Sequence, residues 1–364
     1  MRTVKSFVFL IFLILYSGIE LHAQDSIKNS RVLGIHVHRG FIIAHSKAIK
    51  DVSHSNPWGI EMDFNWHLKK QDAWKYCFCY PRVGFSLFYV NFDNPDVLGY
   101  SIATAAYAEP FINAEKRLNY SIRFGTGPVY LSDVYDSVTN PDNLFYSTYI
   151  AFLVYLNFSV NYKISPTLTL RGAFNYNHIS NGGIKNPNKG INFPTVNLGV
   201  EYVINPTPFE NYKKDNIGVI FEEKNRFDLV AFGTGKVARR VENKRYPIYG
   251  VAFQYSRIVG RINAVSIGSE FYWDMAARNN MDYYGDDTDH KKGGLLIGHE
   301  LLLSKFIFYQ QFGVYFYAPA HTYDPVYQRY GLSYKLFKNL YIGVNIKAHR
   351  HVADFLDFRI GYVF

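Results

Sequence analysis

Residues 58–68 read Trp58-Gly59-Ile60-Glu61-Met62-Asp63-Phe64-Asn65-Trp66-His67-Leu68, and their alternation decides the fold. Successive side chains of a strand point to opposite faces. Trp58, Ile60, Met62, Phe64, Trp66 and Leu68 therefore share one face, and Gly59, Glu61, Asp63, Asn65 and His67 the other. Such length and contrast are uncommon in soluble sheets. An apolar outside and a polar inside, in segments of about ten residues, is what a transmembrane β-barrel requires. Closure lets every backbone donor find a partner in lipid, which an open sheet cannot do.

The same period recurs along the chain. In 118–125, Leu118, Tyr120, Ile122 and Phe124 oppose Asn119, Ser121 and Arg123; in 152–162, Phe152, Val154, Leu156, Phe158, Val160 and Tyr162 oppose Tyr155, Asn157, Ser159 and Asn161. Eight strands are predicted before residue 206, near 31–44, 57–68, 81–92, 100–113, 118–131, 147–163, 167–180 and 193–204. The connections after the second, fourth and sixth are mostly short, and those after the fifth and seventh are long and polar. Short turns belong on the periplasmic side and long loops outside. Composition agrees. With 48% hydrophobic residues the chain is not disordered. A mean hydropathy of −0.13 with one long apolar run excludes a helical membrane bundle.

That one run, Phe7 to Tyr16, follows Arg2 and Lys5 and precedes Leu21-His22-Ala23, so residues 1–23 read as a secretory signal peptide. Its removal leaves a basic, exported chain. Cys77 and Cys79 flank Phe78 and read as packing residues on one face of a strand, a spacing that suits neither a common disulfide nor, alone, a metal site. The first barrel then occupies 24–206, and Asn205-Pro206-Thr207-Pro208 opens a linker over 207–225. Eight more segments follow over 226–364, near 227–238, 248–258, 262–274, 294–304, 306–317, 327–337, 340–350 and 354–364. The last carries Leu356, Phe358, Ile360, Tyr362 and Phe364 on one face. The fold class is all-β, antiparallel, with an eight-strand barrel followed by a second, repeat-like half. Two barrels, one barrel of sixteen strands, or a barrel plus a periplasmic sandwich all fit this pattern.

The chemistry lies in 175–194. On the strand ending there, Leu168, Leu170, Phe174 and Tyr176 lead to His178 and Ser180, whose spacing of two places both on one face. On the next, Val196, Leu198, Val200, Tyr202 and Ile204 share parity with Asn192 and Pro194. A base, a hydroxyl and an amide therefore meet on the lipid-facing wall, near the outer rim. Polar groups there carry a desolvation cost and need a reason. An esterase whose substrate sits in the membrane supplies one: His178 takes the proton of Ser180, Asn192 holds the imidazole tautomer, and Ser180 attacks an acyl ester. Asn181 and the amides around Gly182 and Gly183 are the oxyanion candidates. The competing reading is that the trio merely ends the strand at the interface.

The run His178-x-Ser180-Asn181-Gly182 followed by Asn186-Pro187-Asn188-x-Gly190 resembles the active-site segment of PagL-type lipid A 3-O-deacylases. The resemblance covers about 31–204 and implies an eight-stranded outer-membrane barrel with a lipid-facing Ser-His-acid triad and no cofactor. It places the family's His and Ser on His178 and Ser180, the oxyanion Asn on Asn181, and the family's Glu on Asn192. Glu201 is no substitute, since its parity points inward. The Asn also resembles the outer-membrane phospholipase A enzymes, whose triad is His-Ser-Asn; that kinship implies calcium and a twelve-stranded dimer. The count of eight strands and the Asn-Pro-Asn-x-Gly loop favour the deacylase.

Elsewhere the signals are weaker. His349 and His351 imitate the motif but face inward by parity and lack a following Ser or Asn-Gly, so the second half is assigned no catalysis. Gly285-Asp286-Asp287-Thr288-Asp289-His290 lacks an EF-hand's spacing, and Gly233-Thr234-Gly235-Lys236 lacks a Walker spacing. Lys185 and Lys189 flank the site loop and either contact lipid phosphates or keep it solvated. The expectation is a carboxylic ester hydrolase of the bacterial outer membrane acting on lipid A of lipopolysaccharide, with no nucleic-acid partner. A phospholipase A, or a non-catalytic structural or transport barrel, is the alternative.

Overall fold

The computed structural model describes residues 29–214, 221, 223–238, 244–320, 324–350 and 352–364. The signal-peptide reading of 1–23 and the position of His351 lie outside them. The alternation becomes two closed antiparallel barrels.

The first is built from β1 (Ser30–Gly40), β2 (Trp58–His67), β3 (Arg82–Asn91), β4 (Tyr100–Glu109) with its short continuation β5 (Phe111–Ile112), β6 (Leu118–Leu131), β7 (Ile150–Lys163), β8 (Leu168–Ser180) and β9 (Ile191–Val203). Neighbours in sequence pair, β9 returns to β1, and β4 pairs β6 through Ser101↔Leu131 to Ala108↔Phe124. The second barrel runs through β10 (Asn225–Val237), β11 (Arg245–Ile258), β12 (Asn263–Asp274), β13 (Lys291–Leu303), β14 (Phe306–Tyr317), β15 (Val326–Lys335), β16 (Leu340–His349) and β17 (Val352–Val363). There β17 closes on β10 through Asp228↔Val363 to Gly233↔Phe358. Two eight-stranded barrels are thus the outcome among the three the pattern allowed.

Burial follows parity. Ile60 and Met62 stand exposed on the outer wall while Glu61, Asp63 and Asn65 are buried within. The inward charges are paired, as desolvated ions must be. Arg123 contacts Glu61 and Glu109 at 2.9 Å each, and Arg82 holds Glu201 at 2.7 Å. The second barrel repeats the device with other residues: Arg329 lies 2.7 Å from Glu270 and 2.8 Å from Asp357. Side chains fill both interiors. Towards the long-loop rim, the first barrel's filling becomes apolar, with Phe92, Leu98, Phe145, Tyr146, Ile179, Ile191 and Phe193 in one cluster.

One local reading is corrected. Cys77 and Cys79 form a disulfide. Cys77 ends helix α1 (Gln71–Cys77), and Phe78 takes φ +54°, so the chain doubles back and the Cα atoms come to 5.0 Å. Extended geometry would have held them apart; the reversal brings them within disulfide reach. Gly233-Thr234-Gly235-Lys236 lies inside β10, paired to Tyr249 through Tyr246, within the strand expected over 227–238.

The barrels stand side by side in the same sense. At the short-turn rim, Arg261 donates to the Lys75 carbonyl at 2.7 Å and lies 3.5 Å over the Phe78 ring. At the long-loop rim, a Cβ placed on Gly182 would sit 4.0 Å from Leu356 Cβ of the second barrel.

Candidate active site

The site forms where β8 rises to the long-loop rim, turns through 181–190 and returns as β9. Its strands are anchored from the other face. Ile179, Ile191 and Phe193, at 1%, 0% and 2% exposure, alternate with the polar residues and bury in the apolar plug. Each burial contributes roughly 1.5–3 kcal/mol to holding the register. That register sets His178 opposite Asn192. The outward face of β8 carries exposed Phe174 and Tyr176, then half-buried His178 and Ser180.

His178 Nδ1 lies 2.7 Å from Asn192 Oδ1. A carbonyl oxygen only accepts, so Nδ1 carries the proton and Nε2 keeps its lone pair. The amide's other end donates to His45 Nδ1 at 3.2 Å, and His45 Nε2 lies 3.0 Å from the Lys189 carbonyl. These contacts assign the orientation of the Asn192 amide as well as both tautomers. His45 is carried there by the segment after β1, where the Ile43 amide donates to the Asn192 carbonyl at 2.8 Å.

Ser180 has different partners. Its Oγ accepts from the Gly182 amide and from Asn188 Nδ2, each at 3.1 Å. It makes no hydrogen bond to His178. Asn188 Oδ1 accepts from the Asn181 amide at 3.1 Å, so this one side chain spans hydroxyl and loop. Asn181 is fully buried. Its Oδ1 accepts from the amides of Gly183 (3.0 Å) and Ile184 (3.1 Å), and its Nδ2 donates to the Lys185 carbonyl at 2.8 Å. Of the three oxyanion candidates, Gly182 faces the hydroxyl, whereas Asn181 and Gly183 bind each other in a side-chain-capped turn. The turn is fastened to loop 132–149, Lys189 donating to the Leu144 carbonyl at 3.0 Å and Gly190 to that of Phe145 at 2.8 Å.

Gly190 has φ +71°, and a Cβ there would lie 2.7 Å from His178 Cε1. The loop therefore needs glycine twice over, for the left-handed backbone and for the imidazole's space.

The family model described as lipid A 3-O-deacylase (PagL) matches residues 58–201, and that described as the acyloxyacyl hydrolase C-terminal domain matches 225–364. Together they span most of the chain. The chain belongs to the PagL family.

No curated protein matches the sequence. Among solved structures, the outer membrane enzyme PagL is similar at 14% identity, over 46% of this chain and 97% of its own, with a TM-score of 0.34. Neisserial surface protein A is similar at 11% identity, over 48% and 96%, with a TM-score of 0.32. Membership in the PagL family, with two barrels walled by exposed apolar side chains, makes this an outer-membrane protein of a lipid A deacylase family.

Two functional side chains escaped the sequence reading. Asn188 stood inside the quoted motif without a role, and its spacing of eight from Ser180 spans an irregular loop. His45 lies 147 residues from Asn192, and no local pattern links them. Glu201, as its parity required, points inward to Arg82. His349 points inward to Tyr315 at 3.2 Å. Among the described residues, His36, Asp63 and Glu201 are the group with metal-ligand spacing; they are buried in the first barrel within its ion pairs, away from Ser180.

Proposed function

We propose that the first barrel removes an ester-linked acyl chain from lipid A, with Ser180 as nucleophile, His178 as general base and Asn192 as the group that orients the base. The observation that carries this reading is the 2.7 Å contact between His178 Nδ1 and Asn192 Oδ1 on the lipid-facing wall, which leaves Nε2 free on the face that also carries Ser180. Activation of Ser180 requires its Oγ to leave Gly182 and Asn188 for Nε2, a bond of the kind that commonly forms only with substrate in place.

The Ser180 proton passes to Nε2 as Oγ bonds to the ester carbon. The carbonyl oxygen gains charge near the Gly182 amide and Asn188 Nδ2, the donors aimed at this point. The ester C–O bond then breaks, and His178 returns the proton to the sugar-side alkoxide. Water, deprotonated by the same imidazole, bonds to the acyl carbon, the Oγ–acyl bond breaks to free the fatty acid, and His178 returns the proton to Ser180 Oγ. Every step uses side chains and water, so no cofactor enters.

Mass spectrometry of lipid A from cells carrying wild type or Ser180→Ala tests this. The wild type is expected to remove an acyl chain, and the variant to leave lipid A intact while its barrel still shifts on heating in gels. Identical spectra would sink the reading. The phospholipase alternative, prompted by the amide in the triad, predicts calcium-dependent release from glycerophospholipids. Activity on lipid A that persists in chelator dismisses it.

A further inference from the structure

Among its described residues the second barrel carries no triad, yet it touches the site. A Cβ on Gly183 would lie 3.6 Å from the Asp354 carbonyl, and one on Gly182 4.0 Å from Leu356 Cβ. Leu356 is half-buried under this loop, whereas Phe358 and Ile360, next on the same outward row of β17, are 65% and 58% exposed. The outer wall of the first barrel's last strand is bare as well. Val196 and Leu198 of β9 are 62% and 71% exposed. The barrels thus meet at their two ends, and both carry bare apolar wall.

A groove of about 730 Å³ lies on the second barrel's wall over β10 and β14–β17, lined by Ala231, Phe306, Leu332, Val344, Phe358 and Ile360 among others. Small Ala231 and Gly233 make its floor, beside larger side chains. Its Phe358 and Ile360 lie two and four residues below Leu356. At about 3.3 Å per residue the groove starts roughly 7 Å further along β17 than the Leu356 contact with the glycine loop. This is the size of a ligand site. Its lining suits alkyl chain, and Leu356, which meets the loop that holds Ser180, stands on the same outward row of β17 next above Phe358.

We propose that this groove binds fatty acyl chain of the acylated lipid whose ester lies at Ser180, so that the substrate reaches from the first barrel's site onto the second barrel's wall. The proposal rests on the esterase reading above and assigns the second barrel the role of substrate wall. A lipid so held presents its ester beside Gly182 and Asn188, while an ester too short to reach the groove gains nothing from it.

The test uses the full-length protein and two substrates, lipid A and p-nitrophenyl butyrate. Ala231→Trp fills the groove floor; Ile297→Trp, on β13 away from it, is the control, and heat-shifted gel mobility reports folding of each. Ala231→Trp is expected to lower kcat/KM on lipid A at least tenfold and to leave the short ester within twofold. Ile297→Trp is expected to leave both unchanged. In a Ser180→Ala background, a photo-crosslinking residue at position 360 is expected to capture lipid A, and one at 297 is not. Equal capture at both positions, equal lipid A rates for the two Trp variants, or a parallel fall on both esters overturns the groove while the esterase stands. Failure of the unmodified protein to cleave either ester removes the esterase reading, and the groove's role goes with it.

Discussion

His178 is held by an amide where the resembling deacylases use a carboxylate, and the difference is chemical as well as steric. A carboxylate stabilises the imidazolium by charge, whereas Asn192 does so only by its dipole and by fixing the tautomer. His45 in turn holds Asn192 by its Nδ2. His178→Ala is expected to lower kcat by about 10²–10⁴-fold, the usual contribution of a positioned base, read by steady-state kinetics on lipid A. Asn192→Asp is expected to keep activity and Asn192→Leu to lose it; equal loss in both would show that packing, rather than acceptance of the Nδ1 proton, is what Asn192 supplies. Asn188 makes a separate prediction. Because its Nδ2 points at Ser180 Oγ, Asn188→Ala should reduce kcat by roughly 10²–10³-fold with KM little changed, as for loss of one oxyanion donor. A matching rise in KM would mean that Asn188 only orders the loop.

At the scale of the strand and loop, alternation does the sorting. Buried Ile179 lies between His178 and Ser180, and buried Ile191 and Phe193 flank Asn192, so a slip by one residue would carry the trio inside and the plug outside. The loop between them depends on Gly190. Gly190→Ala should cost about 1–2 kcal/mol from the left-handed backbone, and its Cβ must displace the imidazole. The expected result is activity lost far beyond the small fall in stability, measured by kinetics beside urea unfolding. The lipid face makes the opposite demand. Phe158 is exposed midway along β7. Phe158→Arg is expected to destabilise by about 2–4 kcal/mol, while a change to Leu there should be nearly silent.

For the whole molecule, two barrels of one plan have diverged in what they carry. Each is locked by its own buried ion pairs, Arg123 among Glu61 and Glu109 in the first and Arg329 between Glu270 and Asp357 in the second. Removing one member leaves charge buried without a partner, at a cost of about 3–5 kcal/mol. Arg123→Leu should therefore lower the urea midpoint of the first barrel, and Arg329→Leu that of the second, each followed by tryptic resistance of its own half. One shared transition in both variants would show that the end contacts through Arg261 and Leu356 couple the barrels into a single folding unit.

The sequence alone determined the strands, their inner and outer faces, and the lipid-facing placement of His178, Ser180 and Asn192. A period of two is local, and a strand's face depends only on odd or even position. It could not determine that the second half closes on itself, since β10 meets β17 across more than a hundred residues and pairing partners leave no mark in alternation. Nor could it reach the Cys77–Cys79 bridge, which depends on one left-handed residue at Phe78, or the roles of Asn188 and His45, which irregular loops carry to the site. Tertiary structure alone set the second barrel against Gly182 and Gly183. That contact joins positions some 170 residues apart, and only the packing of two closed surfaces brings them together.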